Sequence, residues 1–345
     1  MTPGPKSRAA QMGVTDPRIG ITTTVPVEVL LAAGRIPVDL NNLFIAHPHR
    51  DGLVARAERE GFSRSVCGWI KGIFGATVTD GIGTVVAVTT GDCSNTLALA
   101  EVLEDRGVSV IRFAYPENPS PREAARAIDR FAGALDVSVE DSEKWRVRLA
   151  GIRKDLCELD RLTWSEGIVT GGENHEFLVS SSDLNGDPDA FGARLGAFLN
   201  KARNRTPEPG SVRLGVMGVP PIFDDFHAFL EGKGARVVLN EVQRQFSMPY
   251  ECESLAQQYS RYTYPYGILG RLADVNREIE CRGIQGIVHY VQAFCHRQIE
   301  DILVKEKLPV PVLTLEGDQA GPLDGRSHVR LEAFIEMLQR TSHAG

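Results

Sequence analysis

Two short apolar runs, Val85-Val-Ala-Val-Thr89 and Gly286-Ile-Val-His-Tyr290, lie in opposite halves of the chain, and each is followed within a few residues by a cysteine, Cys93 and Cys295. Runs of this length and character read as buried strands. Strand and helix patterns alternate around both, the arrangement expected of βαβ units on a parallel sheet. In the first half, Ile19 to Thr22 reads as a strand, Pro26 to Ala33 as a short helix closed by Gly34, and Ile36 to Leu40 as an extended segment. A helix over Asn95 to Arg106, stopped by Gly107, precedes a strand over Val108 to Ala114. The pattern restarts with strands at Val212 to Gly218, Arg236 to Asn240, Ile284 to Tyr290 and Pro311 to Leu315. Helices over Phe223 to Lys233, Ile268 to Arg282, Phe294 to Lys307 and His328 to Gln339 alternate with them.

Between the two series the period changes to that of a helix. Ser120-Pro-Arg-Glu123 combines a Ser cap, Pro at the first helical position and Glu placed for a capping box. A second helix starts near Ser138 and carries an apolar stripe through Trp145, Leu149, Ile152, Leu156 and Leu159. Asn204 to Gly210 is the clearest linker. The expected division is a disordered tail over 1–14, an N-terminal α/β domain over 15–137, a helical insert and linker over 138–210, and a C-terminal α/β domain over 211–345. The fold class is α/β: two Rossmann-like parallel-sheet domains with a helical insert and a cleft between them.

The net charge of −7, with no basic run to offset it, argues against a nucleic-acid groove. No apolar stretch approaches the roughly 18 residues that a membrane helix needs. The polar start, Met1 to Gly13, lacks the apolar core of a signal peptide, so the expectation is a cytoplasmic protein. Six cysteines in 345 residues are too few for a disulfide scaffold.

Those cysteines differ in context. Cys157 and Cys281 lie in helical patterns and read as buried structural thiols. Cys252, flanked by Glu251 and Glu253, is a poor ligand because two carboxylates oppose thiolate formation. Cys93 and Cys295 each stand between a strand and a helix, where ligands of open α/β sheets sit and where the helix dipole favours a thiolate. Cys67, between Ser65 and Gly68-Trp69, stands at the entrance of another helical stretch. Three thiols facing one cleft make a soft site, which suits zinc, copper(I) or an iron–sulfur cluster. Structural zinc wants four closed ligands, usually in close pairs, which this chain lacks. The reading is an iron–sulfur cluster with one iron left open; three unrelated buried thiols is the competing one. His296 neighbours Cys295 on a helix and so points elsewhere.

With these residues in view, the chain resembles the subunits of the 2-hydroxyacyl-CoA dehydratases and the related ATP-dependent benzoyl-CoA reductases, over about Ile19 to Leu338. Thr24-Val-Pro-Val-Glu28 followed by Ala32-Ala-Gly-Arg-Ile-Pro-Val38 resembles that family's opening Tyr-x-Pro-Glu-Glu…Ala-Ala-Gly-x-x-Pro-Val. Gly286-Ile-Val…Ala-Phe-Cys295, Pro311-Val-Leu-Thr-Leu-Glu-Gly-Asp318 and Arg330-Leu-Glu-Ala-Phe334 resemble its later motifs, and Cys67, Cys93 and Cys295 fall where it places three cluster cysteines. The resemblance implies two flavodoxin-like domains holding a [4Fe-4S] cluster at their interface. It also implies a sister subunit or homodimer, an acyl-CoA substrate, and an activator ATPase as one-electron donor. In the dehydratases that electron makes a ketyl radical of the thioester carbonyl, and the open iron acts as Lewis acid. Two features depart from the pattern. The order here is Asp92-Cys93, not Cys-Asp, and Thr23 or Thr24 and Tyr266 stand where relatives with a double-cubane cluster often carry more cysteines, which favours a single cubane.

Two polar residues are candidates for catalysis. Thr24, in Thr22-Thr-Thr24 after the first strand, is placed to hold a substrate carbonyl, with an ordinary turn as the alternative. Glu316, near the end of the last strand with Asp318, is placed to act as a base, with a solvated loop as the alternative. Glu28 opens a helix and is explained by the dipole, and His47-Pro-His49 reads as an exposed loop. Pro220-Pro221 after Gly218 removes backbone donors that a phosphate cradle would need, so no nucleotide site is expected. Two other functions stay open: a low-potential electron-transfer or scaffold subunit without its own substrate, and a metal-free two-domain solute-binding protein. Fold alone does not decide among them.

Overall fold

The strands of the computed structural model, which describes residues 16–207 and 212–343, form two four-stranded parallel sheets. Arg18–Ile21 (β1), Ile36–Asp39 (β2), Thr84–Thr90 (β3) and Ser109–Ala114 (β4) pair in the order β2-β1-β3-β4. Val212–Gly218 (β5), Ala235–Asn240 (β6), Gly286–Gln292 (β7) and Val312–Gly317 (β8) pair in the order β6-β5-β7-β8. The same flavodoxin-like order thus occurs twice, and in each sheet it reverses direction between the first strand and the third. That switch point opens a crevice at the carboxyl ends of β1 and β3 in one sheet and of β5 and β7 in the other. The fold is a two-domain α/β fold, as the alternating pattern led us to expect. The proposed tail over 1–14 and the end of the proposed linker, 208–210, lie outside the described residues.

The apolar runs are buried because both faces of each sheet are covered. Val85, Val86 and Val88 are fully buried, and burying each contributes roughly 1.5–3 kcal/mol relative to exposure. Val86 and Val88 pack with Ile19 and Ile21 against Phe131, Leu149 and Leu195 of the middle helices. Val85 meets Ile70, Phe74 and Leu103 on the other face. The helical insert therefore belongs to the packing of the first sheet.

Helix ends follow local chemistry. Ser120 caps the helix Pro121–Ala134 through the Glu123 N–H at 3.2 Å, with Pro121 in its first turn. The Glu123 carboxylate pairs with Arg126 instead of closing a box. A reciprocal capping box does occur at Thr170 and Glu173, opening the helix Gly171–Ser180.

The two halves interlock. Phe44, Leu53 and Ala76, all from the segment between β2 and β3, share a core with Ile222, Phe223 and Tyr290. In the reverse direction Val242, Leu255, Tyr259 and Tyr264, from the segment between β6 and β7, share a core with Ile21 and Phe113. These exchanges bring the two switch points face to face.

Candidate metal centre

Cys93 and Cys295 occupy equivalent places in the two sheets. Each follows the third strand in sequence, β3 or β7, by three residues. A left-handed residue turns the chain in each case: Gly91 (φ 94°) before Cys93, and Phe294 (φ 63°) before Cys295. A non-glycine residue in this region is uncommon and carries strain. The Phe294 side chain is half exposed, so the turn serves the cysteine beside it and not the packing of the ring. The Cys295 N–H closes the preceding turn on the Gln292 carbonyl at 3.0 Å, and the Cys295 carbonyl accepts the first bond of a short 3-10 turn, His296–Glu300, from the Gln298 N–H at 3.1 Å. The helix Asp301–Lys307 follows, so the expected single helix from Phe294 is a turn and a helix in succession.

Cys67 is the cap residue of the helix Gly68–Thr79, which crosses from β2 to β3. This helix start presses against the other half of the protein. A Cβ added to Gly68 would lie 2.7 Å from the Asp318 carbonyl oxygen, which accepts from Gln292 Nε2 at 2.8 Å. Gly68 thus permits the close approach that carries Cys67 to the C-terminal half.

The three thiols line one cavity of about 130 Å³. Its polar wall includes Thr22, Thr23, Asp39, Asp92, His175 and Arg297, and its apolar wall includes Ile45, Ile70, Val179 and Phe246. Beside each sulfur the backbone amide two residues further on favours the thiolate: Trp69 for Cys67, Asn95 for Cys93 and Arg297 for Cys295. The Ile70 amide acts on Cys67 in the same direction. The other cysteines lie off the cavity. Cys157 faces the Pro249 carbonyl at 3.8 Å, Cys252 lies 4.0 Å from an Arg261 nitrogen, and Cys281 is exposed. The exposure of Cys281 corrects the expectation of a buried thiol: it projects from the solvent side of the helix Ile268–Arg282.

Burial raises all three cavity thiols. Cys67 is pushed up to about 11, and Cys93 to about 12 with Asp92 adding to the effect; Cys295 is raised as well. Alone they are neutral thiols, and they become thiolates only against positive charge, which a metal supplies. Among the described residues no three His, Cys, Asp or Glu side chains converge closely enough for one metal ion. A four-iron cube takes one thiolate per iron, so its ligands stand further apart than those of a single ion. The Trp69 indole N–H, on the cavity wall, is buried without a partner, which fits an acceptor-rich group in the cavity. The residues present therefore fit an iron–sulfur cube better than a mononuclear metal.

The candidate catalytic residues fall elsewhere. Thr24 is turned away from this cavity and lines a small neighbouring one with Arg153, Met248 and Tyr259. Its hydroxyl is buried and unpaired. Thr22 and Thr23 line the thiol cavity, although the Thr22 hydroxyl already accepts the Val88 N–H at 3.0 Å. Glu316 lies exposed on β8, at the edge of its sheet, and Asp318 is the acid of that strand end which acts on Cys67. Glu28 does more than serve a dipole. It is fully buried and accepts from Arg153, Gln258 and Tyr259, tying three segments together.

Residues that sequence reading missed come from the carboxyl end of β2 and from the middle helices. Asp39 caps the helix Leu40–Ala46 and meets Asp183, whose carboxylate accepts the Asp39 N–H at 2.7 Å. Burial and Asp39 push the Asp183 carboxyl up to about 7. His175 stacks near His227, 4.8 Å between ring centres, and its Nδ1 is bonded to the Gln243 amide at 2.9 Å. Burial pushes His175 down to about 3, so its imidazole is neutral. Asp39 does end an expected strand, a position where ligands gather, and was the one detectable signal among them.

No helix among the described residues is long and apolar enough to cross a membrane. A search of curated proteins returned no match. The family model for the 2-hydroxyglutaryl-CoA dehydratase D-component matches residues 22–338, which includes both sheets from the end of β1 onward and all three cavity cysteines. The chain belongs to the 2-hydroxyglutaryl-CoA dehydratase D-component family.

Proposed function

We propose that the protein holds a single [4Fe-4S] cube through Cys67, Cys93 and Cys295 and takes part in one-electron chemistry on an acyl-CoA thioester, as a dehydratase or reductase subunit. The observation that carries this reading is the meeting of three thiols from both halves on one cavity. A single cube is favoured because Cys157, Cys252 and Cys281 lie off the cavity and Tyr266 spends its hydroxyl on the Tyr259 carbonyl.

When bound, such a cube supplies low-potential one-electron transfer and an iron open to a substrate oxygen. The protein's own groups supply the rest. The Thr23 hydroxyl offers a hydrogen bond to a thioester carbonyl, the Asn41 and Asn42 side-chain oxygens offer acceptors to a hydroxyl because their N–H groups are already engaged, and Ile45, Val179 and Phe246 exclude water from that end. His175, neutral and accepting the Gln243 amide N–H at Nδ1, is left with its Nε2–H as a hydrogen-bond donor. A sister subunit or second copy and an activator ATPase complete the proposed assembly, by analogy with the family.

The test is anaerobic reconstitution followed by EPR of the reduced protein with and without 2-hydroxyacyl-CoA thioesters. A cube signal that changes on adding thioester supports the reading. A cube signal indifferent to every thioester, with a redox partner still binding, points to an electron-transfer subunit. Folded protein that takes up no iron contradicts the proposal and leaves a binding protein.

A further inference from the structure

Acidic side chains outnumber basic ones on the wall of the thiol cavity. Asp39 and Asp92 stand on its wall with the three cysteines, and among the described lining residues Arg297 is the one Lys or Arg. Its place is closely fixed. The guanidinium lies 4.8 Å from the centre of the Tyr264 ring. Nη1 donates to Glu300 at 3.0 Å and Nη2 to the Tyr264 carbonyl at 3.4 Å.

Tyr264 is fixed in turn. Its hydroxyl donates to Asp92 Oδ1 at 3.1 Å, joining the C-terminal half to the residue just before Cys93. Arg271, fully buried, also lies against the Tyr264 ring at 5.6 Å and reaches Glu300 at 3.3 Å. Meanwhile Arg297 follows Cys295 by two residues and lines the same cavity. Arg297 is thus a cation held beside one thiol and linked through Tyr264 and Asp92 to the neighbour of another.

A cube held by three thiolates is anionic, and its potential depends on net charge, hydrogen bonds to sulfur and exposure. A fixed cation in a buried setting acts far more strongly than a solvated one. We propose that Arg297, held by Tyr264 and Glu300, is the cation that sets the reduction potential of the cluster. The proposal rests on the cluster reading above. It makes Tyr264 and Glu300 positioning residues, since they act through Arg297.

The experiment is an EPR-monitored redox titration of the anaerobically reconstituted full chain, with iron measured for each sample. The set comprises the unmodified protein, Arg297→Gln, Arg297→Lys and Glu300→Gln. Arg297→Gln is expected to retain iron and shift the midpoint to a more negative value. Arg297→Lys, which keeps the charge, is expected to recover most of that shift. Glu300→Gln removes the counter-charge and is expected to shift the midpoint the other way. An unchanged midpoint in iron-replete Arg297→Gln overturns the proposal. If Arg297→Gln fails to hold iron, an unchanged midpoint in Glu300→Gln overturns it instead. Absence of iron in the unmodified protein removes the cluster reading itself, a failure distinct from an unchanged potential in loaded variants.

Discussion

The turns after β3 and β7 solve one geometric problem with different residues. Both leave a third strand through a left-handed residue and deliver a cysteine three positions past the strand's end, Gly91 lying two residues before Cys93 and Phe294 one before Cys295. At Gly91 an added Cβ would stand 2.8 Å from Pro265 Cβ and 2.9 Å from Tyr115 Cβ, so the interlocked halves leave no room for a side chain. At Phe294 the side chain points outward and is half exposed. The first turn is thus fixed by packing as well as by backbone shape, the second by backbone shape alone. The required conformation is common to both sheets, and the residue that meets it depends on what is packed against it.

Substitutions at the two turns test this difference directly. Gly91→Ala meets both the left-handed strain and two rigid neighbours, and its expected cost is about 2 kcal/mol or more in chemical unfolding. Phe294→Gly removes strain and an exposed ring, so stability is expected to stay within about 1 kcal/mol of the unmodified protein. Equal effects at both positions would break the comparison.

An acid pair gives the N-terminal half a further distinguishing property. Asp183 is pushed up to about 7 by burial and by Asp39, so the folded protein holds its proton more tightly than the unfolded chain does. The resulting stabilisation is complete below the ordinary carboxylate value of 3.8 and is lost as the pH rises through about 7. Stability is therefore expected to fall across that window, and Asp183→Asn, which mimics the protonated acid, is expected to flatten the fall. A slope that survives the substitution would move the effect to other groups.

Much of the fold was legible because strand ends announce themselves. Val85 to Thr89 and Gly286 to Tyr290 are too apolar to lie anywhere but between two covered faces, and Gly107, Gly234 and Gly283 stop helices where the structure stops them. Cys67, Cys93 and Cys295 were identified by that same logic of strand and helix ends. Other features depend on tertiary contacts. Thr22, Thr23 and Thr24 are alike in sequence, and only the turn after β1 decides which two reach the cavity. Glu316 stands at a strand end, but β8 is an edge strand and its side chain faces solvent. Tyr264, Arg297 and His175 come from segments with no motif of their own and join the site through the packing of one half against the other. The short helices Glu241–Phe246 and Leu255–Arg261 were missed for the same reason: at six or seven residues they carry too little period to read.

Three thiols, and not the other three, are proposed to hold one iron–sulfur cube. The decisive measurement is iron and acid-labile sulfide per chain in anaerobically purified protein, compared across single Cys→Ser variants. The expected result is about four of each in the unmodified protein, a loss in Cys67→Ser, Cys93→Ser and Cys295→Ser, and no change in Cys157→Ser, Cys252→Ser and Cys281→Ser. Full iron in Cys295→Ser, or none in a folded, reconstituted parent, would contradict it.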